Sequence, residues 1–193
     1  MNDIERRYIS GTVSIEKRAN GSNTRNVSGY AATFNNLSKD LGGFQERIDP
    51  GFFKGVDFSD VVCLFNHDKN FILARTSSRT LKLSIDNTGL KYAFEAPATS
   101  AGNDLLVNIA NRDVSGSSFA FIVEKDSWDV INGINVRTLL KCAQLIDVSP
   151  VVFPAYNDTV VGQRSFKDYR SMQKKFPELQ YTKWLINEIN LKQ

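Results

Sequence analysis

FAFIVEKDSWDVINGINVRTLLKCAQLIDV, residues Phe119–Val148, is the stretch that decides the fold. Asn132-Gly133 stands at its centre, and this dipeptide favours a type I′ turn because both central positions of that turn need a positive φ angle. The stretch therefore predicts an antiparallel hairpin with arms Phe119–Ile131 and Ile134–Val148. Arms of this length are long for strands and can accommodate a bulge.

Other parts of the chain also show the features of β-strands. Tyr8–Ile15 and Asn26–Phe34 are strand candidates, and the polar segment Ala19–Thr24 turns the chain between them. Apolar side chains then alternate with polar ones in Leu81–Ile85 and Leu90–Phe94, which predicts a second hairpin. We therefore expect a mainly β protein of the α+β class.

Three segments are expected to contain helix. Asp49 and Pro50 match an N-cap followed by the first helical position, and Ser100–Asn111 carries its apolar side chains on one face. After Arg164 there are two apolar stripes at helical spacing, Phe166, Tyr169, Met172 and Phe176, then Tyr181, Leu185 and Ile189. We therefore divide the chain into a body, residues 1–164, and an amphipathic helical C-terminal tail, residues 165–193.

Charge and rare residue types limit the classes of function. The positive excess lies from Arg164 onward, where seven Lys or Arg accompany three acidic residues, and the body lacks the basic surface of a nucleic-acid-binding protein. We find no apolar run that could span a membrane and no apolar core of a signal peptide, so we expect synthesis in a cytoplasm. One histidine and two cysteines, Cys63 and Cys142, cannot build a zinc site; we expect buried free thiols and no metal or cofactor.

The single histidine, His67, follows an apolar stretch and is the side chain best suited to move protons near neutral pH. A serine needs such a base to act as a nucleophile, and Ser115, Ser117 and Ser118 are the candidates. Strand alternation places Ser117 on the face of the bulky Phe119 and Phe121, where it suits packing. Ser118 lies on the other face, and the sequence therefore favours a pairing of His67 with Ser118.

An acidic partner for His67 is expected on the other arm of the long hairpin. If the register set by Asn132-Gly133 continues without a bulge, Asp147 stands directly opposite Ser118, whereas a slip of one residue would send the two to opposite faces. The alternative carboxylates are Asp68, Glu124 and Asp126. Cys142 remains an alternative nucleophile.

Seven short blocks carry a resemblance to a known family. They are Gly29–Phe34 (GYAATF), Glu46–Phe53 (ERIDPGFF), Leu64–Asp68 (LFNHD), Asp86–Leu90 (DNTGL), Gly116–Phe121 (GSSFAF), Val148–Val152 (VSPVV) and Pro154–Tyr156 (PAY). In this order and spacing they resemble the tailed-bacteriophage prohead (capsid maturation) proteases, serine peptidases related in fold to herpesvirus assemblin. The resemblance covers about residues 5–164. It implies a closed or nearly closed antiparallel β-barrel with a few surrounding helices, and a protease domain spanning residues 1–164.

The resemblance also implies roles for individual residues. The family's histidine maps onto His67, and its nucleophile maps onto Ser118, where Ala120 replaces the glycine that usually follows two positions later. The family's acidic position is commonly glutamate and is here Asp147, one methylene shorter. Backbone amides at Ala155 and Tyr156 are the candidates for the oxyanion hole.

The function that the resemblance implies is a serine endopeptidase acting inside the immature prohead, in the host cytoplasm. Its partners would be the major capsid protein and scaffold segments as substrates, and also itself, with no membrane and no specific nucleic acid. A homodimer is one of the open oligomeric states. Two alternatives remain: a non-catalytic β-barrel that binds scaffold or capsid, and a hydrolase of small esters. The absence of a Gly-x-Ser-x-Gly motif disfavours an α/β-hydrolase.

Overall fold

The computed structural model describes residues 4–9, 12–152 and 160–175. These residues form ten strands and two helices. The strands are β1 (Glu5–Ile9), β2 (Ser14–Lys17), β3 (Asn23–Thr33), β4 (Gln45–Ile48), β5 (Val62–Phe65), β6 (Asp68–Arg75), β7 (Leu81–Ile85), β8 (Gly89–Glu95), β9 (Gly116–Ile131) and β10 (Ile134–Val151). The helices are α1 (Ser100–Asn111) and α2 (Val160–Lys175). Within those residues, neither helix combines the length and apolar character of a membrane-spanning segment.

The strands form two sheets. The larger sheet has the order β1-β9-β10-β5-β6, with β4 also paired to β10, and the smaller one has the order β2-β3-β8-β7. The mainly β class is confirmed. The expected closed antiparallel barrel is not supported, because neither sheet closes on itself and both β4 and β5 run parallel to β10. The predicted strand Tyr8–Ile15 is also corrected, since β1 and β2 belong to different sheets.

The long hairpin β9–β10 is the frame of the molecule, as predicted. Asn132 and Gly133 both have a positive φ angle, and the register that this turn sets holds as far as the Leu139–Asp126 pair. Bulges farther along then shift the register, so that Ser118 faces Ser149 and Asp147 faces Ala120. The predicted direct pairing of Ser118 with Asp147 is therefore wrong. The total shift is two residues, however, and a shift by an even number keeps both side chains on one face.

The core lies between the two sheets and is rich in aromatic side chains. Its largest fully buried members include Phe52, Phe53, Phe119, Phe121 and Tyr92. The Phe119 and Phe121 rings stack with their centroids 4.5 Å apart, and the Phe52 ring meets Phe121 edge-on at 5.5 Å. The side chains on the Phe119 face of β9 therefore pack in the core, and those on the Ser118 face point away from it.

The helix predicted to begin at Asp49 and Pro50 is not formed, because the segment folds as consecutive turns. The Asp49 carboxylate accepts a hydrogen bond from the Gly51 N–H at 2.7 Å, and the Asp49 carbonyl accepts one from the Phe52 N–H at 2.9 Å. The Phe52 carbonyl accepts instead from the Cys142 N–H of β10. These backbone hydrogen bonds hold Phe52 and Phe53 buried against the sheet, and the segment does not continue as a helix.

Helix α1 has the predicted bounds. Thr99 is its N-cap, and the Thr99 hydroxyl accepts a hydrogen bond from the Gly102 N–H. Helix α2 begins at Val160 and continues past residue 164, where the sequence suggested a boundary between body and tail. The division of the chain into these two parts stays a prediction. Its Phe166 and Tyr169 rings pack on Trp128 at 5.3 and 5.1 Å, whereas Met172 is exposed. Phe176 and the second predicted stripe lie outside the described residues.

A buried cluster of charges fastens β1 to the rest of the larger sheet. The Arg137 guanidinium donates hydrogen bonds to both carboxylate oxygens of Glu5 and to Glu46, and Arg7 contacts the same two carboxylates. Burial alone would raise the pKa of Glu5, but hydrogen bonds and charge from Arg137 and Arg7 hold this pKa below its ordinary value. The cluster keeps β1 beside β9, and β1 is the strand that flanks Ser118.

Candidate active site

His67 follows its apolar stretch and lies in the two-residue turn between β5 and β6. Asn66 and His67 both have a positive φ angle, which asparagine and histidine adopt more readily than most residues. The Asn66 N–H donates to the Pro150 carbonyl at 3.1 Å, and the Asn66 side-chain oxygen accepts from the Val152 N–H at 3.0 Å. These two bonds tie the turn to the end of β10 and so fix the direction of the imidazole.

Ser118 lies in β9 with a strand on each side, opposite Tyr8 of β1 and Ser149 of β10. Its side chain points away from the phenylalanine core, as alternation predicted. The Ser118 Oγ is 2.6 Å from Nε2 of His67 and is almost fully buried. Serine and imidazole are therefore within hydrogen-bond distance.

Asp147 completes a line of three polar groups. Its Oδ1 is 2.5 Å from Nδ1 of His67, and its side chain is only 6% exposed. The Ser149 hydroxyl donates to the same Oδ1 at 2.9 Å, and the Ser149 Oγ is 3.3 Å from Nδ1 of His67. The sequence reasoning did not single out Ser149, although its spacing of two residues from Asp147 on a strand puts it on the same face.

This arrangement can activate a hydroxyl group. When Nδ1 of His67 carries the proton, that N–H donates to Asp147 and leaves Nε2 free to accept the Ser118 proton. Water has little access, since the His67 side chain is 10% exposed. A charge that forms on the imidazole would face a buried carboxylate, which stabilises it more strongly than solvent-exposed groups could.

The structure gives the alternative residues other contacts. The Asp68 carboxylate accepts from the backbone and side-chain N–H groups of Asn70, Glu124 pairs with Lys141, and Asp126 pairs with Arg137. The Ser117 hydroxyl bonds to those of Thr12 and Tyr92 on the core side, as its predicted packing role requires, and Ser115 is exposed.

Both cysteines are buried free thiols, as predicted. Burial raises the pKa of the Cys63 thiol well above its ordinary value, and the nearby Asp147 carboxylate raises it further. Burial likewise raises the pKa of Cys142 to about 11. Neither is suited to act as a thiolate nucleophile near neutral pH. In the described part of the chain, no group of three or more His, Cys, Asp or Glu side chains could hold a metal ion.

Tyr8 forms one wall beside the nucleophile, which the sequence reasoning missed. Its ring lies over Gly116, and a β-carbon added at Gly116 would come within 2.1 Å of a Tyr8 ring carbon. Glycine is therefore required at this position for the ring to lie against β9. Ala155 and Tyr156, the candidates for the oxyanion hole, lie outside the described residues, so their assignment stays a prediction.

Comparison with known proteins gives one match. The family model described as Caudovirus prohead serine protease matches residues 13–175, which is most of the chain. No curated protein and no solved structure matches it.

Proposed function

The chain belongs to the Caudovirus prohead serine protease family, and on that premise we propose that it is an endopeptidase whose nucleophile, base and acid are Ser118, His67 and Asp147. Membership makes the chain a phage serine protease of capsid maturation. The assignment of the three residues rests on one observation, the unbroken line of contacts from Asp147 through His67 to Ser118.

In the proposed reaction the Ser118 Oγ attacks the carbonyl carbon of the scissile peptide bond while Nε2 of His67 takes the hydroxyl proton. The same proton passes to the leaving amine, which leaves an acyl group on Ser118 that a water molecule then hydrolyses. Asp147 holds the imidazole in the required tautomer and stabilises its charged form. Backbone amides at Ala155 and Tyr156 are the proposed donors to the oxyanion.

The proposed substrates are polypeptide segments of the major capsid protein and of the scaffold, together with the protease itself. The proposed place of action is the interior of the immature prohead, in the host cytoplasm. A peptidase enclosed with these chains meets them at high effective concentration, so that modest affinity for each cleavage site is sufficient.

The test is co-expression with the capsid gene that neighbours its own, followed by mass spectrometry of the capsid-protein fragments. We expect fragments with the wild type, none with Ser118→Ala or His67→Ala, and most of the wild-type yield with Ser117→Ala. The last variant is the matched control, because it removes a buried hydroxyl one residue away on the opposite face. Full processing by Ser118→Ala would overturn the assignment of the nucleophile.

A serine-reactive phosphonate probe separates the peptidase from a non-catalytic assembly protein. Labelling of the wild type and of Ser117→Ala, but not of Ser118→Ala, is expected from an activated Ser118 hydroxyl. A wild-type chain that assembles with capsid protein, yet takes up no probe and yields no fragments, would favour the non-catalytic alternative.

A further inference from the structure

We propose that Ser149 is a positioning residue of this site, and that its hydroxyl group holds the Asp147 carboxylate against Nδ1 of His67. The inference rests on the proposed function, because it assigns a fourth polar group to the same reaction. Ser149 is not placed to touch the scissile bond in this role, since it acts on the carboxylate behind the imidazole.

The contacts of Ser149 are those of a group built into the site. Its side chain is fully buried at 0% exposure, in a register position opposite Ser118. The hydroxyl donates to Oδ1 of Asp147 at 2.9 Å, and the same oxygen lies 3.3 Å from Nδ1 of His67. Oδ1 of Asp147 therefore receives two donors, the imidazole N–H and the Ser149 O–H.

The bulges of β10 decide which residues of β9 Ser149 and Asp147 face. With the unbroken register that the turn alone would set, Asp147 would stand opposite Ser118 and Ser149 would lie two residues beyond it. The shift in register moves Ser149 into the place opposite Ser118 and moves Asp147 to the place opposite Ala120. Ser149 is two residues from Asp147 on the same strand in either register, so its contact with the carboxylate does not depend on the bulges.

Two electrostatic effects of this hydroxyl oppose each other. Its proton withdraws charge from Oδ1, which weakens the attraction between the carboxylate and a protonated imidazole. Its oxygen faces Nδ1, which strengthens the imidazole's hold on its proton. The 2.9 Å contact is a normal hydrogen bond, whereas 3.3 Å lies at the long end of the range, so the first effect outweighs the second. The proposed role adds a larger effect: without this hydroxyl the full negative charge of the carboxylate is free to turn away from Nδ1, so loss of the hydroxyl should make the imidazole easier to deprotonate.

The remaining titratable groups around the imidazole are unchanged by a substitution at Ser149. Among the described residues they include the buried Cys63 thiol of β5, Asp68 of β6, and Arg6 and Tyr8, which β1 places on the same sheet face as Ser118. A change in pH dependence that follows removal of the Ser149 hydroxyl is thus assignable to the Asp147–His67 contact.

The experiment compares Ser149→Ala with Ser117→Ala, a matched pair of fully buried serines that each bond to two neighbours. The pH profile of kcat/KM on casein is measured for both. For Ser149→Ala we expect kcat to fall about tenfold and the midpoint of the acid limb to move downward by about half a pH unit. Ser117→Ala should lower Tm and leave the midpoint in place. Ser149→Thr, which keeps the hydroxyl, should restore the midpoint even if its added methyl lowers Tm.

A second arm needs no activity. His67 is the only histidine, so its ring gives an unambiguous NMR titration, which can be followed in the Ser118→Ala background to prevent proteolysis. Adding Ser149→Ala should shift that titration to lower pH, and adding Ser117→Ala should not. A midpoint that stays in place or moves to higher pH in Ser149→Ala overturns the inference. A wild type that cleaves nothing overturns the proposed function instead, while the NMR comparison still decides the role of Ser149.

Discussion

At Asp147 the chain carries a carboxylate one methylene shorter than the glutamate that the resemblance led us to expect. The contact with the imidazole is nevertheless made at 2.5 Å, because β10 is held directly beside β9 and the turn at His67 is tied to the end of β10. A short acidic side chain has fewer rotatable bonds than a long one. Fixing it in one orientation therefore costs less conformational entropy.

Asp147→Asn is expected to lower kcat on the order of 10²–10⁴-fold while leaving the fold intact. The amide can stand in the same place, but it offers no negative charge to the imidazolium and can hold the wrong tautomer. The measurement is kcat on casein beside Ser118→Ala, which should be the lower of the two. Asp68→Asn is the control and should stay near wild type, since that carboxylate is engaged with Asn70. If Asp68→Asn is inactive and Asp147→Asn is fully active, the carboxylate that orients His67 is that of Asp68.

At the level of the elements, two of the hairpin turns, Asn132-Gly133 and Asn66-His67, show what local sequence can and cannot predict. Asn132-Gly133 predicted its hairpin because glycine accepts a positive φ angle without strain. Asn66-His67 is also a two-residue turn in which both residues have a positive φ angle, but it contains no glycine, and no turn was predicted there. The cue that could have found it is the pair of residue types that tolerate positive φ, followed by a second run with Phe71 and Ile72.

The bulges of β10 lie beyond what alternation and turn type can predict. Alternation assigned the faces of Ser117 and Ser118 because the side-chain period of a strand is fixed at two residues. Near Asp147, β10 also pairs in parallel with Val62 and Cys63 of β5, a contact between segments far apart in the chain. The partnership of Ser149 with Asp147 is a different case, because their spacing of two residues on one strand was visible in the sequence.

Asn66 should control the activity through the turn it occupies. Asn66→Gly keeps the positive φ angle but loses the acceptor for the Val152 N–H, and we expect kcat/KM to fall roughly three- to tenfold. Asn66→Ala also loses the acceptor and adds a backbone strain of about 1–2 kcal/mol, so it should be lower in both Tm and kcat/KM. Asn66→Asp retains an acceptor and is the matched control. Equal activity of the glycine variant and the wild type would show that this bond does not hold His67 in place.

For the whole molecule, the resemblance implied a closed barrel, whereas the two sheets are open. Closure depends on strand order and on parallel pairing of distant segments, which the local patterns of this chain do not encode. The apolar stripe of Phe166 and Tyr169 correctly predicted an amphipathic helix. Its partners, Trp128 and Phe44, could not be identified without the tertiary fold.

We predict that self-cleavage occurs in the tail beyond Lys175 rather than within α2. A peptidase needs an extended and accessible chain, and α2 instead holds Phe166 against Phe44 and Trp128. We expect intact-mass analysis to find a C-terminus shortened within the tail in the wild type and the full-length chain in Ser118→Ala. A chain ending at Lys175 should cleave capsid protein in trans yet enter proheads poorly, because it lacks the apolar stripe Tyr181, Leu185 and Ile189 that we expect to bind a scaffold or capsid helix. A chain ending at Arg164 would expose Trp128 and should lose about 1.5–3 kcal/mol for each aromatic side chain no longer buried. Full-length wild type inside proheads, together with normal packaging of the chain ending at Lys175, would refute both roles of the tail.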